Sequence, residues 1–188
     1  MSANRYHPVL VSLHWLIAAM AILILAGGMF VLQEIPNDAP EKIDALRGHM
    51  IFGFGLAGLT LIRLVIRVKT DKPAPAPTGK PLLDKLGPAI HHGFYLFILV
   101  MAGFGLATSI AAGLPDIVFG GSGAPLPKDF FAFWPRYGHA IVATILVLMI
   151  GLHIAGALYH QFKLKDGLLA RMWFGKRPQI VSRRGSKT

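Results

Sequence analysis

The chain has 188 residues, 54% of them hydrophobic and only 15% charged, with a formal net charge of +10 and no cysteine. The missing thiols exclude disulfides, thiolate-held iron–sulfur clusters and covalent haem attachment through a C-x-x-C-H motif. The scarcity of charge argues against a soluble domain, whose helices would carry polar faces.

Four apolar runs, at about 9–32, 48–68, 89–112 and 138–162, are each long enough to cross a bilayer, which takes roughly 20 residues. The expected fold is therefore all-α, an integral membrane four-helix bundle forming a single membrane domain over 1–188, with a basic tail over 163–188. Of the 19 lysines and arginines, only Lys42, Arg47, Lys128 and Arg136 fall in the two loops opposite the chain ends. The positive-inside rule then expects both termini in the cytoplasm, and it assigns the basic surplus to topology and anionic lipid rather than to nucleic acid.

The first run carries His14-Trp15 in its cytoplasmic third. No A-x-A-like cleavage site follows it, and it is too long for a signal-peptide core, so it reads as a retained first helix. Residues 33–46 are acidic, and Pro36 and Pro40 predict an irregular loop. The second helix is expected to open at Arg47-Gly48-His49, followed by Gly53, Gly55 and Gly58, small residues that admit either a neighbouring helix or a flat macrocycle. Arg63 and Arg67 should close this helix and snorkel to the cytoplasmic interface. The Pro-rich stretch 71–85 predicts a semi-extended connection to a third helix starting near His91-His92, whose histidines read as interfacial. Residues 113–135 form the longest outer segment, broken by glycine and proline and rich in Phe and Trp, as suits a belt on the membrane surface. The basic tail from Lys163, ending in Arg183-Arg184-Gly185-Ser186-Lys187-Thr188, reads as disordered.

The fourth run organises the chain, because it holds His139, His153 and His160. The first two are fourteen residues apart, which on a helix means about 40° apart around it and ~21 Å along it. Intramembrane histidines are functional candidates by default. Measured from the middle of each span, His14 and His153 lie ~10 and ~4 Å toward the cytoplasm, and His49 and His139 ~13 and ~16 Å toward the outside. The histidines thus sort into two levels, His14 with His153 and His49 with His139, each joining different helices. Paired imidazoles with neither cysteine nor intramembrane carboxylates suit the iron of a b-type haem better than zinc. Filled axial positions point to electron transfer. Arg47 and Arg136 are candidates for the propionates of the outer haem, or are ordinary interfacial anchors.

His14-Trp15-Leu16, a histidine opening the second helix, Gly151-Leu152-His153 and the Lys165-Asp166…Leu169…Arg171-Met172 tail together resemble the bacterial cytochrome b561 family. The resemblance spans Arg5 to about Arg177 and implies a bundle enclosing two haem b groups, with His14, His49, His139 and His153 as axial ligands and a place in the bacterial inner membrane. It also implies electron transfer between a small outer-side donor, superoxide in the superoxide oxidase type, and ubiquinone near the cytoplasmic haem. The quinone headgroup is expected against Lys80, with Thr78 in the nearer register, and against His160 and Gln161. His160 fits a proton donor or a snorkelling interfacial residue. Membrane lipid, quinone and a redox partner protein are the expected partners. An alternative is a haem-bearing anchor subunit relaying electrons for a dehydrogenase or hydrogenase. A haem-free cation transporter is a weaker alternative, since no Asp or Glu falls inside an expected span.

Overall fold

The computed structural model describes residues 5–71 and 73–173, and these fold into helices with no strand among them. Helix α1 is Pro8–Gly27, α2 Glu41–Lys69, α3 Pro81–Ala111 and α4 Pro135–Leu158. Proline opens α1, α3 and α4, where its missing N–H is one the first turn does not use and its φ is already helical. Ahead of α1, His7 caps the helix, its ring Nδ1 accepting from the Val9 amide at 3.3 Å. Two π-helical turns, Gly28–Leu32 and Tyr159–Leu164, prolong α1 and α4. The resulting four helical segments of 25 to 31 residues are long and apolar enough to cross a membrane.

Two helices begin earlier than the apolar pattern implies. Helix α2 starts at Glu41 rather than near Arg47, because Glu41 and Asp44 in its first turn complement the positive end of the helix dipole. Pro36 and Pro40 therefore belong to a short link rather than to a long loop. Helix α3 starts at Pro81, so its polar first turns extend beyond the apolar run and take in Pro88. Asp84 secures that start by accepting from the Thr78 amide at 2.6 Å and the Thr78 hydroxyl at 2.8 Å. The tail expected to be disordered from Lys163 is instead folded as far as Trp173, where helical turns and hydrogen bonds to Trp15 and Ala74 hold it, and the rest of it lies outside the described residues.

Successive helices pack against one another, α1 on α2, α2 on α3 and α3 on α4, while among the described residues nothing comparable joins α1 or α2 to α4. At mid-depth Leu56, Ile98, Val142 and Leu146 are buried together, with Ile17, Met20 and Phe94 packed around them. Large apolar side chains such as Leu23, Ile110 and Leu148 point outward, as a lipid-facing surface requires.

Both ends of the bundle are tied down. At the end holding the 33–40 and 112–134 connections (the loop end), Lys42 is only 4% exposed, and its Nζ donates to the Leu32 and Ile35 carbonyls at 2.6 and 2.7 Å. It thereby satisfies orphan carbonyls at the end of the α1 extension. Helix α3 closes with Gly113 at φ 66, a left-handed position that glycine takes without strain. At the opposite end (the tail end), Lys165 at φ 53 and Gly167 at φ 69 reverse the chain, and a short 3-10 turn, Leu168–Met172, folds back. Trp15 Nε1 donates to the Met172 carbonyl at 2.8 Å, and Arg171 donates to the Ala74 carbonyl at 2.7 Å. Trp15 thus holds the tail.

Candidate functional site

A cavity of about 1310 Å³ runs along the bundle axis, well above the roughly 300–1,000 Å³ of a pocket for one small ligand. His49 and His139 line it at the loop end, and His14, His91 and His153 at the tail end. The structure brings together both sequence-predicted pairs. Ring centroids lie 6.1 Å apart for His14 and His153, and 6.0 Å apart for His49 and His139. Two imidazoles facing each other across a first-row metal, each bonded at about 2.0–2.1 Å, place their ring centres ~6.3 Å apart. The pairs therefore match each other and fit a shared axial arrangement. Each pair bridges α4 to a helix with which it shares far less contact than it does with α3.

Local geometry prepares these rings. The Nδ1–H of His139 donates to the Met101 carbonyl at 3.2 Å, which leaves Nε2 as the basic nitrogen facing the cavity. One turn later on α3, Gly105 makes room for that ring; a Cβ there would lie 3.3 Å from His139 Cε1. Gly28 does the same for His49, at 3.4 Å. Gly53, one turn after His49, also lines the cavity, and a Cβ there would meet nothing within 4 Å. A bulky flat group has room to approach the α2 backbone at this point. Among the described residues, no group of three or more His, Asp or Glu gathers to chelate an ion unaided. The two-by-two donor set, the glycine clearance and the apolar lining fit haem.

His91 was read from the sequence as interfacial. The earlier start of α3 draws it into the bundle, with its ring centroid 5.1 Å from that of His153. Its Nδ1–H donates to the Gly87 carbonyl at 2.9 Å. At 5.1 Å, the His91–His153 pair is too close to span a metal, so His14 is the better partner for His153.

The basic residues divide differently from the sequence expectation. Arg136 lines the cavity, its guanidinium 4.8 Å from the Phe131 ring centre. Arg47 is occupied elsewhere: it pairs with Asp44 and donates twice to the Val118 carbonyl, at 3.0 and 2.7 Å, clamping α2 to the π-turn Pro115–Phe119. Arg63, expected to snorkel, is 8% exposed and faces the cavity, because the tail end of the bundle closes over it. The sequence did contain a signal for this placement. His49 and Arg63 are fourteen residues apart, the same one-face spacing as His139 and His153. Ser109, one turn past Gly105, also lines the cavity, with a buried hydroxyl that has no hydrogen-bond partner.

Of the expected quinone contacts, His160 lines the tail end of the cavity beside Tyr159 and Thr78. Its Nδ1–H donates to Asp166 at 2.6 Å, which leaves Nε2 as the free ring nitrogen. Partial burial disfavours the Asp166 carboxylate, but hydrogen bonds from His160 and the Leu168 amide outweigh it and hold the carboxyl below its usual range. Lys80 lies outside the cavity wall, with its Nζ 5.9 Å from the Tyr159 ring centre, and Gln161 is exposed.

Residues 5–175 match the family model for prokaryotic cytochrome b561. The chain is 27% identical over 178 residues to a probable superoxide oxidase CybB from Yersinia pestis, covering 93% of this chain and 98% of that one. It is 28% identical over 177 residues to cytochrome b561 homolog 2 from Escherichia coli K12, covering 90% and 91%. A cytochrome b562 from Cereibacter sphaeroides is 26% identical over 172 residues, covering 89% and 94%.

Proposed function

The chain belongs to the prokaryotic cytochrome b561 family, multi-pass bacterial membrane proteins that carry b-type haem and transfer electrons, and from that premise we propose a di-haem cytochrome linking a donor at the loop end to a quinone at the tail end. The observation that carries this reading is the pair of equal imidazole separations, 6.1 and 6.0 Å, at the two ends of one cavity. His14 and His153 would hold one haem, and His49 and His139 the other. When bound, the haems would supply one-electron chemistry between these histidine pairs. We place the protein in the inner membrane with both termini cytoplasmic, because the cations concentrate at the tail end.

The protein's own groups divide the work by end. At the loop end, Arg136 gives an anionic donor a local positive attraction, and superoxide is the candidate that the Yersinia relative's name supports. At the tail end, His160 exchanges a proton with the quinone headgroup, and Asp166 orients its ring through Nδ1. Thr78 lies on the same cavity wall and supports the nearer register for the headgroup contact. Met101 fixes the tautomer of His139.

A pyridine haemochrome assay on purified protein tests the scheme. Two haems per chain are expected, falling to one in His153→Ala and to one in His139→Ala. A single haem in the unaltered chain would overturn the pairing. Stopped-flow reduction by superoxide, set against reduction by quinol, then tests the two substrates. Loss of quinol reduction in His160→Ala with both haem bands retained supports the tail-end quinone site, and an unchanged rate removes it.

A further inference from the structure

A permanently charged group buried in a membrane bundle requires an opposite charge, and Arg63 has none. No carboxylate among the described residues pairs with it; the ion pairs found join Arg47 to Asp44 and His160 to Asp166. Its Nη1 donates to the Tyr95 hydroxyl, its Cζ lies 5.6 Å from that ring, and its buried Nε has no partner. What remains is the Nε–Nη2 edge, two parallel N–H groups in the spacing that takes a carboxylate side-on. Both Arg63 and Tyr95 line the cavity at the level of His14 and His153, and Arg67 lines it one turn further toward the tail end.

We propose that Arg63, held by Tyr95, is a carboxylate-binding residue that takes a propionate of the haem between His14 and His153, with Arg67 following it toward the surface. This rests on the di-haem reading. Tyr95 anchors the guanidinium by occupying Nη1, so the Nε–Nη2 edge of a side chain that lines the cavity is left for a carboxylate. The tail-end propionates then meet cations on α2, as Arg136 on α4 meets a group at the loop end. The buried charge is thereby neutralised by the cofactor and not by the protein, which accounts for the absence of any acidic residue beside it.

The test uses the full-length holoprotein. In Arg63→Met, the propionate bending band of one haem in the resonance Raman spectrum should shift, while that of the other stays. Transfer of that haem to an excess of a haem-scavenging protein should quicken by about tenfold or more, the worth of a charge-assisted hydrogen bond. Arg63→Lys, which keeps the charge but loses the two-donor edge, should show the same changes to a smaller degree and covers the case in which Arg63→Met does not fold. Unchanged bands and unchanged haem loss in the variants, with both haems bound, would overturn the proposal and leave the di-haem reading intact. Saturable stabilisation of the unaltered holoprotein by added oleate, absent in Arg63→Met, would also overturn it by assigning the edge to a free carboxylate. If the unaltered chain holds one haem, it is the di-haem reading that fails, and the haemochrome count reports this separately.

Discussion

Replacing Gly105 by alanine tests the loop-end geometry with a single methyl group. The new Cβ would lie 3.3 Å from Cε1 and 3.4 Å from Nδ1 of His139, closer than ordinary van der Waals contact. The ring cannot simply swing away, because Nδ1 is tied to the Met101 carbonyl at 3.2 Å on the same helix. Overpacking of this kind costs about 1–3 kcal/mol, which would weaken retention of the loop-end haem by about 5- to 160-fold. Gly103→Ala is the matched control, since a Cβ there meets nothing within 4 Å. The assay is haem transfer to a scavenging protein, followed at the spectral bands of each haem. Only Gly105→Ala should release the loop-end haem faster, and the tail-end haem should be unaffected in both variants. Equal behaviour of the two variants, or preferential loss of the tail-end haem, would refute the placement of His139 against α3.

At the tail end, His14→Ala should remove one haem while His91→Ala keeps both, because the 5.1 Å spacing of His91 and His153 leaves no room for a metal between them; a haemochrome count with the reverse outcome would exchange their roles. Lys42→Met leaves the Leu32 and Ile35 carbonyls without its ammonium and should lower stability by about 1–3 kcal/mol, read as a lower midpoint in thermal or denaturant unfolding with helicity unchanged at the start. Docking of the tail should depend on pH through Asp166, whose folded carboxyl sits below the ordinary 3.8. Because a depressed pKa stabilises the ionised form, its contribution is complete above 3.8 and fades as pH falls through the lower folded value. Limited proteolysis of the tail should accelerate in that range for the unaltered chain and should show no such pH step in Asp166→Asn.

What the sequence disclosed and what it hid follow from how each residue carries its information. The four crossings and the two histidine pairs were legible because membrane thickness and helix pitch act through residue count alone: fourteen residues return a helix to nearly the same face. The helix starts were not legible, because the polar first turns of α2 and α3 are stabilised by Glu41, Asp44 and Asp84 acting on helix ends, which an apolar window ignores. For that reason the place of His91 on the cavity wall beside His153 was not legible either. Arg47 and Arg63 exchanged their expected surroundings. Arg47, two residues before His49, is committed to the Val118 carbonyl of a segment 71 residues away, and no local pattern announces such a contact. Arg63 looked like a snorkelling end residue, although its spacing from His49 already placed it on the ligand face.

The helix contacts explain why ligands rather than packing define this bundle. Apolar side chains gain nothing by leaving lipid for one another, so membrane helices cohere through close backbone approach and polar contacts. Here α1, α2 and α3 pack in sequence onto α4 by way of α3, while the faces of α1 and α2 that turn toward α4 carry histidines, glycines and Arg63 and enclose a cavity. His139 and His153 on α4 are therefore partners in the two links that tie it to α2 and α1. Filling the cavity completes the contact surface that these helices lack. Between the two levels the wall of the cavity is apolar, with Leu56, Ile98 and Leu146 among its lining residues. In the proposed scheme a proton is exchanged at His160 at the tail end, and a water-soluble donor is met at the loop end. The proposed scheme uses the distance between the two histidine levels to join a soluble one-electron donor to a lipid-soluble acceptor.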